Sequence, residues 1–365
     1  MSTEWKEKLK KYYNGELSEE EALEVEEELD RLDDYQEILG KEIPSVDQEN
    51  DREDIPPEKV QQILNSSIRH AKFSLVAYVV MILLLIYPIM VIASYLYYGV
   101  NNKAEELIDV AINTVYVTEP NVSLEEMEIE EQINLFHFQV QMDLFKRIGK
   151  KDIKQGEWQV KYLFDDAKMP VRNYITESPK ERIPYFDTKK LYHPKATITN
   201  RDNTAWDTLE KLPEGTVSEI YVSLNKLTNP DEMPDIVDGM DVEWRWYAID
   251  TGLESTGKDL EGRYLAPIGY PAQTDPDAWS PYNNSKSNEA QFLDSLHLLE
   301  KYEDQAVAIS HAKSLELNDR ISYLMNHGIH VYAGVLTGPT KEILKLQENE
   351  AIRAIHIGEV RLWNW

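Results

Sequence analysis

Between Lys72 and Lys103 the chain carries no charged residue, and from Phe73 to Tyr98 it reads FSLVAYVVMILLLIYPIMVIASYLYY. As a helix rising 1.5 Å per residue, this stretch spans roughly 39 Å, more than the ~30 Å of a bilayer's hydrocarbon core. One transmembrane helix over residues 73–98 is therefore predicted. Pro88 is tolerated in such a helix. Tyr95, Tyr97 and Tyr98 match an interfacial aromatic belt. A signal peptide fits poorly, because 72 mostly polar residues precede the run and no small-residue cleavage site follows it closely.

The flanks set an orientation. Lys59, Arg69 and Lys72 precede the run; Lys103 follows, and then no Lys or Arg occurs until Lys146. The positive-inside rule places the N-terminus in the cytoplasm and the C-terminal region outside. The net charge of −28 divides across the run. Residues 1–72 hold 10 basic and 21 acidic residues, a net of −11, and residues 103–365 hold 28 and 45, a net of −17. Acidity on both sides argues against direct nucleic-acid binding. With no cysteine in the chain, disulfides, thiolate zinc sites, Fe–S clusters and thiol nucleophiles are excluded.

Residues 1–42 read as two helices. Trp5, Leu9, Tyr12 and Tyr13 form an apolar stripe, ended by Asn14-Gly15. Ser18 and Glu21 then form a capping box. Ala22, Val25, Leu29 and Leu32 follow on one stripe, with acids opposite. Two short helices cannot bury both stripes against each other. An apolar stripe rimmed by acids favours a partner groove that is apolar and basic, although a solvated acidic hairpin has the same pattern. Residues 43–57 are a polar linker. Pro56-Pro57-Glu58 opens a juxtamembrane helix over 58–72 with an apolar face of Val60, Ile63, Leu64, Ser67 and Ala71. That face suits a partner, and the segment equally suits a cytoplasmic extension of the membrane helix.

The run Tyr12-Tyr13-Asn14-Gly15-Glu16-Leu17-Ser18-Glu19-Glu20-Glu21 resembles the N-terminal domain of anti-sigma factors. That pattern normally leads into a zinc-binding His-x-x-x-Cys-x-x-Cys helix. Here the His position is Glu28 and the Cys positions are Leu32 and Tyr35, so the resemblance is to a zinc-less variant with no metal or cofactor. In the family, such a domain and a following helix clasp an extracytoplasmic-function sigma factor. The resemblance thus implies sigma-binding residues at Leu9, Tyr13, Leu17, Val25, Leu29, Leu32, Tyr35, Val60, Ile63 and Leu64. The acidic arm complements a basic, DNA-facing partner.

Beyond the membrane the pattern is mixed α/β (α+β), with a membrane-proximal region over 99–200 and a C-terminal sensor or regulator domain over 201–365. Gln132–Phe145 alternates as one long strand with Phe136, Phe138, Val140, Met142 and Leu144 on one side. Glu157–Phe164, Val217–Leu224 and Val242–Ile249 are further strands, the last with Trp244 and Trp246 on one face. Asn288–Tyr302 and Asn318–Met325 are amphipathic helices. Ile329–Leu336, a helix opened by Thr337-Gly338-Pro339, and Ala351–Ile357 make a strand–helix–strand unit read as parallel, with Gly358 as a bulge before the final strand Val360–Trp365. Val335 to Ile343 and the terminal Leu362-Trp363-Asn364-Trp365 resemble the C-terminal domain of a Bacillus-type sigma factor regulator family.

Enzymatic readings find little support. His327, His330 and Asp319 lack a fixed ligand geometry, Thr337–Thr340 lacks the length and Lys of a phosphate loop, and Ser310-His311 sits in no Gly-x-Ser-x-Gly elbow. The expectation is a non-enzymatic, single-pass membrane anti-sigma factor. It comprises a small all-α cytoplasmic domain, one transmembrane helix and an α+β outer region, and it sequesters its sigma factor until an envelope signal releases it. The resemblance also implies a small membrane co-regulator, and the apolar helix implies contact with membrane lipid. The alternative is a membrane-anchored outer module that binds an envelope ligand or protein, with the inner arm as a tether.

Overall fold

In a computed structural model, which describes residues 8, 10–14, 17–18, 21–31, 56–175, 191–196, 204–256 and 265–362, residues 10–13 (α1) and 21–31 (α2) are helical. The Asn14 N–H donates to the Lys10 carbonyl (3.1 Å), the last bond of α1, and the Ala22 N–H donates to the Ser18 carbonyl (2.9 Å), the first of α2. Lys8 meets Glu24 at 2.6 Å and the Tyr12 hydroxyl donates to Glu26 at 2.7 Å, so polar contacts tie the first helical segment to the second. Val25 is buried completely.

The apolar run lies inside α3 (Pro57–Gly99), one helix of 43 residues and about 64 Å. Pro57 sits in the first turn, where its missing N–H is harmless, and Glu58 faces the positive end of the helix dipole. The helix passes through Pro88 without interruption. Gln61–Gly99 is long and apolar enough to cross a bilayer, and its most apolar window is entirely unburied. A core helix of the same composition would be covered by protein. The helix is thus one candidate membrane span, continuous with the juxtamembrane segment.

The chain divides into two compact units, Met1–Val79 and Val80–Trp365, with the division inside α3. In the second unit, α4 (Lys103–Thr118) is buried at Leu107 and at every position from Val110 to Thr118. It packs on β1 (Val122–Leu124) and β3 (His137–Ile148). The first sheet has the order β1-β3-β4-β5, all antiparallel, with β4 at Lys151–Leu163 and β5 at Asp166–Tyr174; β2 (Glu130–Ile133) also pairs with β3. Period-two alternation turns Phe138, Val140 and Met142 of β3 inward, directly opposite Tyr162, Val160 and Trp158 of β4. The expected single strand over 132–145 is instead the hairpin β2–β3. The break falls at residues 134–136, where Asn134 and His137 exchange backbone hydrogen bonds of 2.8 and 3.4 Å.

After helix α5 (Thr204–Glu210), the second sheet has the order β10-β6-β9-β7-β8, again all antiparallel. Its strands are β6 (Thr216–Thr228), β7 (Glu243–Ile249), β8 (Gly269–Pro271), β9 (Val331–Pro339) and β10 (Ile352–Leu362). Helices α6 (Asn288–Lys301), α7 (Glu303–Ser310), α8 (Leu317–His327) and the short α9 (Thr340–Leu344) complete the unit. β9 and β10 run in the same direction, as the strand–helix–strand pattern suggested, but they do not pair. Both pair antiparallel with β6, which lies between them. β6 is buried at nine consecutive positions, which suits a central strand. Gly358 lies in the expected register shift of β10. A Cβ there would stand 2.3 Å from Glu219 Oε2, so only glycine fits without displacement.

A second expectation fails for a local reason. The register of β7 on β9 shifts between Trp244 and Trp246, a bulge at Arg245. The two indoles therefore enter different clusters: Trp244 joins Tyr247 and Ile249, and Trp246 joins Ala248, Tyr221 and Tyr332. Together the sheets give an α+β architecture with antiparallel pairing throughout.

Candidate functional site

Of the residues singled out for partner binding, Tyr13 lies at the end of α1, Val25 and Leu29 on α2, Leu17 between the two helices, and Val60, Ile63 and Leu64 on the first turns of α3. Tyr13 is 76% exposed, Ile63 59% and Leu64 54%. Leu17 and Leu29 are half-buried, whereas Val25 is enclosed. Leu9, Leu32 and Tyr35 lie outside the described residues, as does the side chain of Val60. Two further exposed apolar residues were not singled out. Ile68 follows Leu64 at the i+4 spacing, so helical periodicity already pointed to it. Leu23 falls off the Ala22–Val25–Leu29 stripe, and no periodic signal marks it.

The electrostatics of the arm follow from sequence order. Glu21, Glu24, Glu26, Glu27, Glu28 and Asp30 of α2 are all exposed, against a single Arg31 in the same helix. Hydrogen bonds from the Ser18 hydroxyl (2.8 Å) and backbone N–H (3.2 Å) hold the Glu21 carboxyl below its usual range. The ion pair with Glu24 raises the Lys8 ammonium, and the hydrogen bond to Glu26 raises the Tyr12 hydroxyl. Glu28, at the position where the resembling family carries a zinc-binding histidine, stands exposed in α2. Among the described residues, no three His, Asp or Glu side chains gather as metal ligands.

In the second unit, three of the groups weighed for chemistry make structural contacts. The Ser310 hydroxyl donates to the Ala306 carbonyl at 2.7 Å inside its own helix. His327 stacks on Tyr323 with ring centroids 4.1 Å apart. Thr340 is buried against Thr216 and Ser218, each at 2.8 Å. A cavity of about 250 Å³ lies among Asn113, Gln291 and Ser295. Its polar groups already satisfy one another: Ser295 donates to Asn113 at 2.6 Å, and Gln291 bonds both backbone groups of Asn283. Among the described residues, the arm presents exposed acids and Tyr13, and the first turns of α3 present exposed Ile63, Leu64 and Ile68.

This arrangement defines a class: a chain with one candidate membrane span, an acidic helical arm before it and an α+β region of two antiparallel sheets after it. Comparison with known proteins narrows it. Residues 61–153 match the family model "Sigma factor regulator N-terminal", and residues 209–359 match "Sigma factor regulator C-terminal". The chain is 34% identical over 369 residues, covering all of both chains, to the "Probable anti-sigma-M factor YhdL" of Bacillus subtilis (strain 168). No solved structure matches the chain. The chain belongs to the sigma factor regulator family.

Proposed function

We propose that the chain is an anti-sigma factor that holds an extracytoplasmic-function sigma factor at the membrane and silences it until a signal from the envelope releases it. The observation that carries this reading is similarity, along the whole length, to a relative named as an anti-sigma factor. The physical arrangement agrees with it. α3 is one helix from Pro57 to Gly99, so the apolar residues Ile63 and Leu64 stand on the same helix as the membrane anchor. A sigma factor gripped by that face cannot diffuse to DNA without leaving it.

In this reading residues 1–42 are the binding domain, 43–57 the linker, 58–72 a second binding segment and 73–98 the span. Residues 99–200 and 201–365 are the outer regulatory regions. Leu9, Tyr13, Leu17, Leu29, Leu32, Tyr35, Val60, Ile63 and Leu64 are the apolar anchors. Val25, also singled out for binding, is fully buried and meets a partner only if the arm rearranges. The acids of α2 steer a basic partner onto these anchors. The action is sequestration, with no bond made or broken. The N-terminus is cytoplasmic, and a small membrane protein assists.

The test is co-purification of the detergent-solubilised full chain with the extracytoplasmic-function sigma factors of its own organism, each expressed in turn. The wild type should retain one of them stoichiometrically, and Leu17→Asp with Leu29→Asp should lose it, because each introduces a charge at a desolvated contact. Failure of the wild type to retain any sigma factor would overturn the reading.

A further inference from the structure

The outer end of α3 is held by two hairpin tips. One is Leu135-Phe136, between β2 and β3, and the other is Phe164-Asp165, between β4 and β5. The Phe136 N–H donates to the Ser94 hydroxyl at 2.8 Å, and the Tyr98 hydroxyl donates to the Phe136 carbonyl at 2.9 Å. The Tyr97 hydroxyl donates to Asp165 at 3.0 Å, and the Phe164 N–H donates to the Phe136 carbonyl at 3.3 Å. These bonds fix both tips at the level of residues 94–98, the last turns of the apolar span.

The backbone at both tips is unusual. Phe136 and Phe164 each have φ of 55°. Glycine or asparagine normally occupies that left-handed region, and a bulky side chain there is a strained exception. Strain of this kind persists only where surrounding contacts impose it, and it clusters at functional sites. Here it sets two aromatic rings side by side, with centroids 5.5 Å apart, and Phe164 edge-on to Tyr97 at 5.3 Å. The stack covers only part of them, since Phe164 remains 43% exposed. The adjoining helix presents Tyr95 and Tyr97, 56% and 37% exposed, as an aromatic belt. Among the described residues, the one carboxylate bonded to this turn of the helix, Asp165, is paired with Lys103 at 3.0 Å.

We infer that the tips carrying Leu135, Phe136 and Phe164 sit in the outer bilayer interface, extending the tyrosine belt of α3 with side chains from the folded outer region. The occupant is lipid, at the boundary of headgroup and acyl chain, because the rings continue the exposed apolar surface of the span itself. The inference rests on the reading of α3 as a membrane helix. Its consequence is that the outer region reads the bilayer directly: a change in interfacial packing acts on the same two turns that grip α3.

The absence of cysteine provides a clean background for site-directed spin labelling. Full-length chain carrying a single cysteine, as Phe164→Cys or Leu135→Cys, is labelled with a nitroxide and reconstituted into liposomes of phosphatidylethanolamine and phosphatidylglycerol. Collision with oxygen, which partitions into lipid, is compared with collision with a water-soluble nickel chelate. Tyr87→Cys within the span and Lys150→Cys at the opposite end of the β3–β4 hairpin are the references. The inference expects the labels at 164 and 135 to favour oxygen, as at 87, while 150 favours nickel. Using two tip positions guards against local loss of the Phe164 stack. Nickel-favoured labels at both tips with an oxygen-favoured label at 87 would overturn the inference alone and leave the rings to a protein partner. A nickel-favoured label at 87 would overturn the membrane reading and the inference with it.

Discussion

Arg320 is fully buried, and its guanidinium meets Glu254 at 3.1 Å while donating to the Ala266 carbonyl at 2.9 Å. Glu254, itself buried, also accepts from the backbone and the hydroxyl of Thr251, both at 2.6 Å. Burial lowers the Arg320 pKa, with Glu254 acting against that effect. Such a pair contributes little net stability when intact, yet losing one partner leaves an uncompensated charge in low dielectric. Glu254→Gln is therefore expected to destabilise the outer region by about 3–5 kcal/mol in urea unfolding of the solubilised chain. Adding Arg320→Met should recover most of the loss, since it removes the stranded charge. A cost in the single variant no larger than that of an ordinary surface change would show that water, rather than Glu254, compensates Arg320. No sequence signal distinguished these two residues from the other charges of the chain, because pairing across 66 residues is created by the fold.

At the scale of single elements, the start of α2 gives a pH test. Ser18 holds the Glu21 carboxyl below its usual value, so the ionised form is favoured in the capped helix. A depressed acid contributes stability above its unfolded pKa and loses it as the pH falls through the folded value. The ellipticity of a peptide spanning residues 14–31 should thus fall on acidification below about pH 4.5, the ordinary range of a glutamate. The Glu21→Gln peptide should lack that component, and superimposable acid profiles would refute the capping role. This cap was legible because its signal is local: Ser18 and Glu21 are three residues apart. The apolar span and the cores of β3 and β4 were legible for the same reason, as runs and alternations within one segment. Where the pattern misled, something non-local or strained intervened. The bulge at Arg245 separates Trp244 from Trp246, and a left-handed Phe136 turns an apparent strand into a hairpin. β6 enters between β9 and β10, which no spacing within 331–362 encodes. α4 escaped notice because Val110–Thr118 is buried on every side and so shows no polar face. For the proposed partner-binding surface, the sequence offers candidate apolar positions. Which of them face outward depends on packing, as the contrast between Tyr13 and Val25 shows.

For the whole molecule, the decisive quantity is the charge on either side of α3. Lys59, Arg69 and Lys72 are exposed on the helix before the apolar run, free to face anionic headgroups. Lys103, the lone basic residue close behind the run, is paired with Asp165 and lies over the ring of Tyr302 at 5.1 Å. The count of Lys and Arg close to the run is thus three before it against one behind it. The proposed orientation, with the N-terminal side in the cytoplasm, follows from the positive-inside rule, which counts such residues near the span. The net charge of −11 over residues 1–72 does not oppose this, since acids carry little weight in orientation. The expected topology can be checked with two single cysteines at exposed sites, Leu23→Cys in α2 and Trp279→Cys in the outer region, 61% and 73% exposed. A membrane-impermeant maleimide applied to intact protoplasts should label position 279 and spare position 23, which should react only after lysis. The reverse pattern would place the acidic arm outside, where no sigma factor could meet it, and the sequestration mechanism would fail with the topology. Labelling at 279 alone would confine −17 of the charge to the outer face and leave the arm, with its exposed Tyr13, Ile63 and Leu64, on the side where transcription occurs.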